Sequence, residues 1–330
     1  MKISIFDVAK KSGLSVVTVS RVLNNSSSVR QKNKEKVLKA MKELNYQPNA
    51  AARSLARGKT GIIGLTLTTL DDSFLDAVVK ETNERLGEHG YLLALSIARS
   101  FEDAFRRSLF QEDRVDGVIL LSPTDEDEFI MELKNKKIPL VLVDNSKSHP
   151  SVSSVIVDNF KGGYEVAKHL IELGHTDIAH IAGPDPFLSS REREHGFLTA
   201  LEEAGLKPRS IERGTFSMSS GYEIATRWID AGELPSALFA ADDYIALGVI
   251  DACLNRGIRI PEQLSIVGFD DQKFASEFRP KLTTVRQPAD KIGAAAVELL
   301  LEAMNDPAQR QTTVTIEPTL IVRESTARKK

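Results

Sequence analysis

Cysteine is almost absent from this chain of 330 residues, which contains only Cys253. One cysteine can form neither an intrachain disulfide nor a cysteine-based zinc site, so the sequence favours a reducing compartment, the cytoplasm. Long apolar runs are also missing, since none approaches the roughly 20 residues that span a bilayer. Asp7 and Lys10 interrupt the N-terminus, where a secretory signal needs an apolar core. We therefore expect a protein that is neither membrane-embedded nor secreted.

The sequence also lacks the short motifs that mark common enzyme sites. It contains no GxGxxG, no phosphate-binding Walker loop and no GxSxG. Its six histidines, at positions 89, 149, 169, 175, 180 and 195, do not follow a metal-ligand spacing. Asp242 and Asp243 resemble an acid–base pair, but adjacent side chains on a strand or turn usually point apart. We therefore predict no catalytic residue, no metal, no cofactor and no enzymatic activity.

Charge is distributed unevenly along the chain. The composition, 42% hydrophobic and 27% charged, is that of a globular protein, and the length suits two to three domains. Residues 1–60 carry 13 Lys or Arg against 3 Asp or Glu, whereas the rest of the chain carries 30 against 43. A basic head on an acidic body is typical of a nucleic-acid-binding module joined to another domain. A solvated basic helix face would give the same charge.

Three short helices are predicted in the basic head. The first ends at Gly13, the second begins after Ser15, and the third spans about 32–44. Ala9, Gly13 and Val19 have the spacing of a helix-turn-helix, in which a small residue and a glycine let the two helices approach and turn. Other three-helix bundles share this spacing, but together with the charge it favours DNA binding. The residues expected to face inward on the third helix are Val37, Leu38, Met41 and Leu44.

The second helix is the one expected to enter the major groove. Val16 and Val17 near its start suit apolar features such as the thymine methyl group, although either could instead belong to the core of the head. Arg21 can reach a guanine or a phosphate, and Ser15 and Thr18 suit phosphate contacts. The other outward-facing residues are Ser20 and Asn24.

A short helical segment follows the head. It consists of good helix formers at 49–57, with Pro48 before it and Gly58 after it. About nine residues are too few for a stable helix in water, so we expect a linker that folds on binding DNA. Leu55, its one large apolar residue, can wedge a base step in the minor groove or pack on the partner linker or the body.

These segments resemble the head and hinge of the lac-repressor/galactose-repressor (LacI/GalR) family of bacterial transcription regulators, and the resemblance extends to about residue 324. The matching blocks are IFDVA at 5–9, GLS at 13–15, TVSRVLN at 18–24, LNYQPN at 44–49 and ARSLA at 52–56. The resemblance implies a homodimer that reads a palindromic double-stranded DNA operator and inserts paired hinge helices into its minor groove. The residues that it assigns to DNA binding are Ser15, Val16, Val17, Thr18, Ser20, Arg21, Asn24, Asn49, Arg53, Leu55 and Ala56.

The rest of the chain is predicted to form an α/β body. Short apolar runs such as 117–121 and 140–143 alternate with helical patterns, which is typical of parallel sheets. The strands are too many for one small domain, so we predict two parallel-sheet subdomains, and the resemblance implies a periplasmic-binding-protein-like body.

The predicted parts are a helix-turn-helix domain at 1–47, a hinge helix and linker at 48–60, an effector-binding and dimerisation domain at 61–325 and a tail at 326–330. Within that domain the N-subdomain covers about 61–157 and 288–316, and the C-subdomain about 158–287 and 317–325. The tail has no heptad repeat, so we expect a dimer rather than a tetramer.

Polar residues after the predicted strands mark a candidate crevice, because ligands of parallel α/β sheets bind beyond the carboxyl ends of strands. These positions hold Ser122, Asp144, Asp242 and Asp270. Carboxylates accept hydrogen bonds from ligand hydroxyls, Arg193 can donate two in one plane, and Phe74 or Phe216 can cover a sugar ring. Capping of the following helix is an equal alternative for Asp242, as is core packing for Phe216.

The family resemblance assigns the same crevice to an effector. It matches Arg193, Asp242 and Asp270 to effector-contacting blocks and Phe216 to an aromatic wall, whereas His195 replaces a residue that is usually small or apolar. It therefore implies a DNA-binding transcriptional regulator, and we predict a repressor controlled by a sugar or sugar derivative.

Two alternatives remain open at this point. The segment 278–285 resembles a branch of the family that answers mainly to a phosphocarrier protein partner, although the segment is widely shared. A sugar-binding module without a DNA role is the other alternative, and the basic head and the missing signal peptide argue against it.

Overall fold

The structure, a computed structural model, describes residues 3–23, 28–46, 59–70, 72–98, 102, 114–123, 126–145, 147, 149–306 and 310–329. The chain divides into two compact units, Met1–Thr60 and Gly61–Lys330. We describe the two units separately as the head and the body. No helix within the described ranges combines the length and the apolar character needed to cross a membrane.

The head contains three helices, α1 (Ile5–Ser12), α2 (Val16–Leu23) and α3 (Gln31–Glu43). Helix α1 begins at a capping box, in which the backbone N–H of Ser4 donates to Asp7 Oδ2 at 2.8 Å. It ends at Gly13, whose φ of 68° lies in the left-handed region that glycine adopts without strain. The Ser15 hydroxyl accepts the Thr18 N–H at 3.2 Å and so caps α2. The predicted helix-turn-helix head is confirmed.

The core of the head is small, and this corrects one prediction about α3. The buried side chains are Val8, Ala9, Val19, Val22, Val37 and Ala40. Leu38, predicted to face inward, is 49% exposed. It lies about 100° around the helix from Val37, and the buried stripe instead continues through Ala40.

Strands and helices alternate through the body. In chain order they are β1 (Ile62–Leu67), α4 (Ser73–Glu88), β2 (Leu92–Ile97), β3 (Gly117–Leu121), α5 (Glu126–Asn135), β4 (Leu140–Val143), β5 (Ser153–Val157), α6 (Asn159–Glu172), β6 (Ile178–Ala182), α7 (Leu188–Glu203), β7 (Ile211–Arg213), α8 (Met218–Ala231), β8 (Ala237–Ala240), α9 (Asp243–Asn255), β9 (Ser265–Asp270), α10 (Lys273–Glu277), β10 (Thr283–Arg286), α11 (Ala289–Asn305), β11 (Thr313–Ile316) and β12 (Thr319–Ile321). The alternation places helices on both faces of the sheets.

The described strands form two six-stranded sheets. The first sheet has the order β11-β5-β4-β3-β1-β2 and is parallel throughout. The second has the order β12-β10-β9-β8-β6-β7 and is parallel except for the antiparallel pairing of β12 with β10. The chain passes between the sheets after β5, after β10 and after β11. The prediction of two parallel-sheet subdomains is confirmed, and we call the two the N-subdomain and the C-subdomain.

Two helix pairs of the C-subdomain pack closely through glycines. A Cβ atom on Gly196 of α7 would lie 1.9 Å from the backbone oxygen of Phe160 in α6, and one on Gly163 would lie 2.0 Å from that of Arg193. Glycines on α8 and α9 make the same kind of approach. These contacts fix the start of α7, where Arg193 lies, against α6.

The segment after β12 packs onto the C-subdomain rather than extending from it. The hydroxyl of Ser325 donates to the backbone oxygen of Ile266 at 2.6 Å. The backbone N–H of Ala327 donates to the Ser265 hydroxyl, and that of Lys329 donates to the backbone oxygen of Leu173 at 2.9 Å. The residues predicted to be a tail are therefore bound to the start of β9 and to the end of α6 as far as Lys329.

Candidate functional site

A cavity of about 450 Å³ lies between the two subdomains at the carboxyl ends of their strands, and we call it the cleft. All seven predicted effector residues line it, namely Phe74, Ser122, Asp144, Arg193, Phe216, Asp242 and Asp270. The N-subdomain supplies the first three and the C-subdomain the other four. The strand order explains this convergence, because neighbouring parallel strands end at the same edge of a sheet.

Several cleft residues have a backbone conformation that is rare outside glycine. Ser122, Asp144 and Phe216 have φ values of 47°, 53° and 51°, and Asp270 has a φ of 103°. Such positions are uncommon for residues with a Cβ atom and concentrate at functional sites. In each sheet they lie at or near the point where the chain turns from a strand into the cleft.

Arg193 is the buried centre of the C-subdomain side and is only 5% exposed. Its Nε donates to Asn159 Oδ1 at 2.9 Å, and its Nη1 donates to the backbone oxygen of Ala241 at 2.7 Å. Its Nη2 lies 3.4 Å from Asp270 Oδ1. The guanidinium carbon lies 3.6 Å from the centroid of the Phe269 ring, a cation–π contact. These contacts hold the guanidinium plane in one orientation.

Asp242 both caps a helix and lines the cleft, so the two alternatives for this residue are compatible. Its Oδ1 accepts the Ile245 N–H at 2.7 Å at the start of α9. Burial raises the pKa of Asp242 to about 8, and the charge of Asp270 adds to the effect. Burial also raises the pKa of Asp270 to about 6, although Arg193 opposes that change.

On the N-subdomain side, Asp144 accepts a hydrogen bond from the Ser122 hydroxyl at 2.8 Å. Burial raises the pKa of Asp144, and this hydrogen bond partly offsets the effect. The two residues follow neighbouring strands, β3 and β4, which explains why they meet although they are distant in sequence.

A hydrogen-bond cluster that sequence reasoning missed joins the two subdomains beside the cleft. Gln272 Nε2 donates to Asp72 Oδ1 at 2.7 Å, and Gln272 Oε1 accepts the Ser73 N–H at 3.0 Å. The Ser73 hydroxyl accepts the Lys273 N–H at 3.1 Å. The backbone N–H of Gln272 donates to the buried Asp243 at 2.7 Å, which anchors the cluster in the C-subdomain. Asp72 also caps α4, and that capping pattern is the only local sequence signal of the cluster.

The cleft has an aromatic wall and further polar residues that the sequence did not single out. The ring centroids of Phe187 and Phe216 lie 5.6 Å apart in an edge-to-face arrangement, so Phe216 contributes to this wall. The cleft residues missed from the sequence are Thr68, Thr69, Asp72, Leu75, Phe187, Ser189, Ser217, Met218, Tyr244 and Gln287. His195 does not line the cleft; it is exposed on α7, with its ring 5.1 Å from that of Phe160.

In the head, the outward residues of α2 form a candidate DNA-binding face. Val17 is 60% exposed, and Ser15 and Arg21 are exposed as well. Thr18 and Ser20 are half-buried. Val16 is also half-buried and packs against the head's core, as its alternative interpretation allowed. The predicted DNA-binding residues Asn24, Asn49, Arg53, Leu55 and Ala56 lie outside the described residues.

Known proteins match both units. Residues 4–49 match the family described as bacterial regulatory proteins, lacI family, and residues 167–326 match a periplasmic binding protein-like domain. The chain is 33% identical to the HTH-type transcriptional repressor PurR of Mannheimia succiniciproducens, over 98% of each chain. The lac repressor dimer bound to operator and the anti-inducer ONPF is 30% identical with a TM-score of 0.89, over 99% of this chain and 100% of that one. A complex of the transcriptional regulator CelR with cellobiose is 30% identical with a TM-score of 0.75, over 98% and 99% of the two chains.

Proposed function

The chain belongs to the LacI family of bacterial regulatory proteins, and we propose that this DNA-binding transcriptional regulator represses its target under the control of a sugar or sugar derivative bound in the cleft. Its relatives are transcriptional regulators, so it is not an enzyme. The observation that carries the proposal is the convergence of Asp144, Arg193 and Asp270 from both subdomains on one cavity. Carboxylates and a fixed guanidinium match the paired hydroxyls of a sugar, and the aromatic wall matches its apolar face.

Two kinds of support bear on the ligand class. The cleft of about 450 Å³ lies within the size range of small-molecule sites and would hold a mono- or disaccharide. A similar regulator, CelR, is known in complex with cellobiose. Both agree with a carbohydrate ligand.

For the head we propose that α2 enters the major groove. Val17 then contacts a thymine methyl group, Arg21 contacts a guanine or a phosphate, and Ser15 and Thr18 fix the register on the backbone. Val16 contributes less, because part of its surface packs against the head's core. Asn49, Arg53, Leu55 and Ala56 form the hinge contacts of the same proposal, with Leu55 wedged into the minor groove.

A homodimer with a palindromic operator completes the proposal. The edge strand β2 exposes Leu92, Leu95 and Ile97, and the C-subdomain exposes Leu254 and Phe278. Exposed apolar residues on an edge strand are unfavourable in an isolated protein and favour burial against a second copy. Twofold symmetry of the dimer then requires two related half-sites on the DNA.

The test begins with selection of bound duplexes from a random DNA pool at near-physiological salt. We expect enrichment of a palindrome, after which a carbohydrate panel is screened for its effect on binding to that palindrome. Arg193→Ala should bind the palindrome and lose the carbohydrate response. Asp144→Asn serves as a second variant if Arg193→Ala does not fold, and Glu262→Gln, on an exposed turn, is the control.

The contrary outcomes are distinct. Failure to enrich any sequence, with or without carbohydrates, would contradict the DNA-reading part of the proposal. A response that Arg193→Ala and Asp144→Asn both retain would contradict the cleft assignment. A response to a phosphocarrier protein alone would favour that partner, and Phe278 and Arg279 are the exposed residues of the segment that would meet it.

A further inference from the structure

Acidic side chains far outnumber basic ones in the lining of the cleft. Four carboxylates line it, those of Asp72, Asp144, Asp242 and Asp270, against a single cation, Arg193, among the described residues of the lining. We propose that the effector of this cleft is a hydroxyl-rich compound with a positively charged amino group, and that phosphorylated or carboxylated sugars are excluded. This inference rests on the proposed function, since it specifies the ligand of the same site.

Each of the four carboxylates engages the protein through one of its two oxygens. The Oδ1 atoms of Asp72, Asp242 and Asp270 accept hydrogen bonds from the protein. For Asp144 it is Oδ2 that does so. Within the described part of the chain, the second oxygen of each of these side chains accepts no hydrogen bond from protein. Four such acceptors in one cavity call for a ligand rich in donors, and an ammonium group supplies three.

Arg193 keeps two of its five N–H donors, which suffice for ligand hydroxyls, but its charge already faces Asp270. Its Nε and Nη1 donate to Asn159 and Ala241, and its Nη2 faces Asp270. One face of the guanidinium is covered by the Phe269 ring. A phosphate or carboxylate would enter a buried site where the one cation of the described lining already faces Asp270 and where ionised carboxylates repel an anion.

The burial of the carboxylates also favours a positively charged ligand. Asp242 is 4% exposed, and burial raises its pKa to about 8, so this carboxyl group holds a proton that an ordinary one would release. A ligand ammonium group replaces this proton as the compensating charge and forms a charge-assisted hydrogen bond. A neutral sugar can donate hydrogen bonds but brings no charge to pair with a carboxylate that has released its proton.

The aromatic wall also suits a cation. Phe74, Phe187 and Phe216 line the same cavity as the carboxylates, and the negative faces of aromatic rings attract an ammonium group. The aromatic wall and the carboxylates therefore both favour a ligand that carries an ammonium group.

The experiment compares matched pairs of small compounds by calorimetry and thermal shift, in an amine-free buffer at a pH where the amines are protonated. The pairs are glucosamine with glucose, and tris(hydroxymethyl)aminomethane with pentaerythritol. Glucose 6-phosphate and glucuronate are the anionic members. We expect each amine to bind about tenfold tighter than its neutral partner, the effect of one charge-assisted hydrogen bond, and no binding of the anions.

A matched variant shows whether the carboxylates cause the preference. Asp242→Asn keeps the helix cap, because asparagine is an equally good N-cap, and removes one charge. We expect it to lose most of the preference for amines, whereas Glu262→Gln, which removes a charge from an exposed turn, should keep it.

Equal or weaker binding of the amine in every pair would overturn the inference, as would tighter binding of an anionic member. Binding of a neutral sugar at least as tightly as its amine partner, lost in Arg193→Ala, would overturn the inference and leave the proposed function intact. The two failures are therefore distinguishable.

Discussion

Asp242 shows at the residue scale how one side chain serves both the fold and the site. Its Oδ1 caps α9 while the residue lines the cleft, and burial raises its pKa to about 8. Burial also raises the pKa of Asp243 well above its usual range and that of Asp270 to about 6. These carboxyls bind protons in the folded protein at pH values where the unfolded chain has released them, so they link stability to pH.

The raised pKa values of these carboxyl groups predict how the free energy of unfolding changes with pH. The contribution of the raised carboxyls is fully present below pH about 4 and is lost as pH rises through about 8, so the free energy of unfolding should fall over that window. Asp242→Asn should flatten the decrease, and Glu262→Gln should not. Urea unfolding at a series of pH values measures both, and identical pH slopes for Asp242→Asn and the wild type would contradict the assignment.

Residue chemistry also explains why the cleft residues could be found in the sequence. Asp144 and Asp270 stand at the ends of apolar runs, and that pattern is sufficient to place them at a strand edge. Gln272 has no such signal, because its partners Asp72 and Ser73 lie about 200 residues away in sequence. Their contact depends on how the two subdomains meet, which no local pattern encodes.

At the scale of elements, α6 and α7 illustrate packing that tolerates no added atom. The Cβ of Gly196→Ala would lie 1.9 Å from the backbone oxygen of Phe160 and 2.8 Å from the backbone nitrogen of Tyr164. Both neighbours are backbone atoms, so the helices must separate, which costs about 1–3 kcal/mol or more. We expect a lower Tm and a weaker response to the cleft ligand.

Gly87→Ala is the matched control, since it adds the same methyl group to a helix position with open space around it. It should leave stability unchanged or raise it by up to about 1 kcal/mol through helix propensity. Thermal unfolding of the two variants tests the comparison. Equal Tm values would contradict the close approach of α6 and α7.

The cluster around Gln272 gives a second prediction at this scale. Gln272→Glu places a second carboxylate against Asp72 and removes the donor that now joins the subdomains. We expect the cleft to open, which small-angle scattering or the distance between spin labels on the two subdomains would detect. Gln263→Glu, an isosteric change at an exposed position, is the control, and an unchanged distance in Gln272→Glu would show that the cluster does not hold the cleft closed.

The elements also show where sequence patterns are sufficient. The strands Gly117–Leu121 and Leu140–Val143 agree with their predicted bounds, because each is a continuous apolar run buried on both faces. The strands Thr283–Arg286 and Thr313–Ile316 were missed, because threonine-rich sequences of four residues lack that pattern. Leu38 was misassigned because the small head buries a narrower stripe of α3 than the apolar pattern suggests.

At the scale of the whole molecule, family and fold class are the predictions that the comparisons confirm, since both units match known regulators over nearly the whole chain.

The dimer surface is a proposal that can be tested directly. Leu92→Asp places a charge on the exposed edge strand β2 and should convert the dimer to a monomer in sedimentation experiments. Met131→Asp, at an exposed apolar position on α5, should leave the dimer intact, and a stable dimer of Leu92→Asp would exclude this edge.

We propose that the cleft and the operator are coupled. In this proposal a ligand that closes the cleft favours one of two states of the regulator, and the coupling is reciprocal between ligand and DNA. The sign of the coupling depends on which state binds DNA.

The most direct measurement is the Kd for the selected operator with and without saturating cleft ligand, at fixed salt. We expect the ligand to change the Kd by about 5- to 150-fold, and we expect Arg193→Ala to bind the operator with an unchanged Kd that no longer responds to ligand. An identical Kd with and without a ligand that demonstrably fills the cleft would contradict coupling between the cleft and the operator.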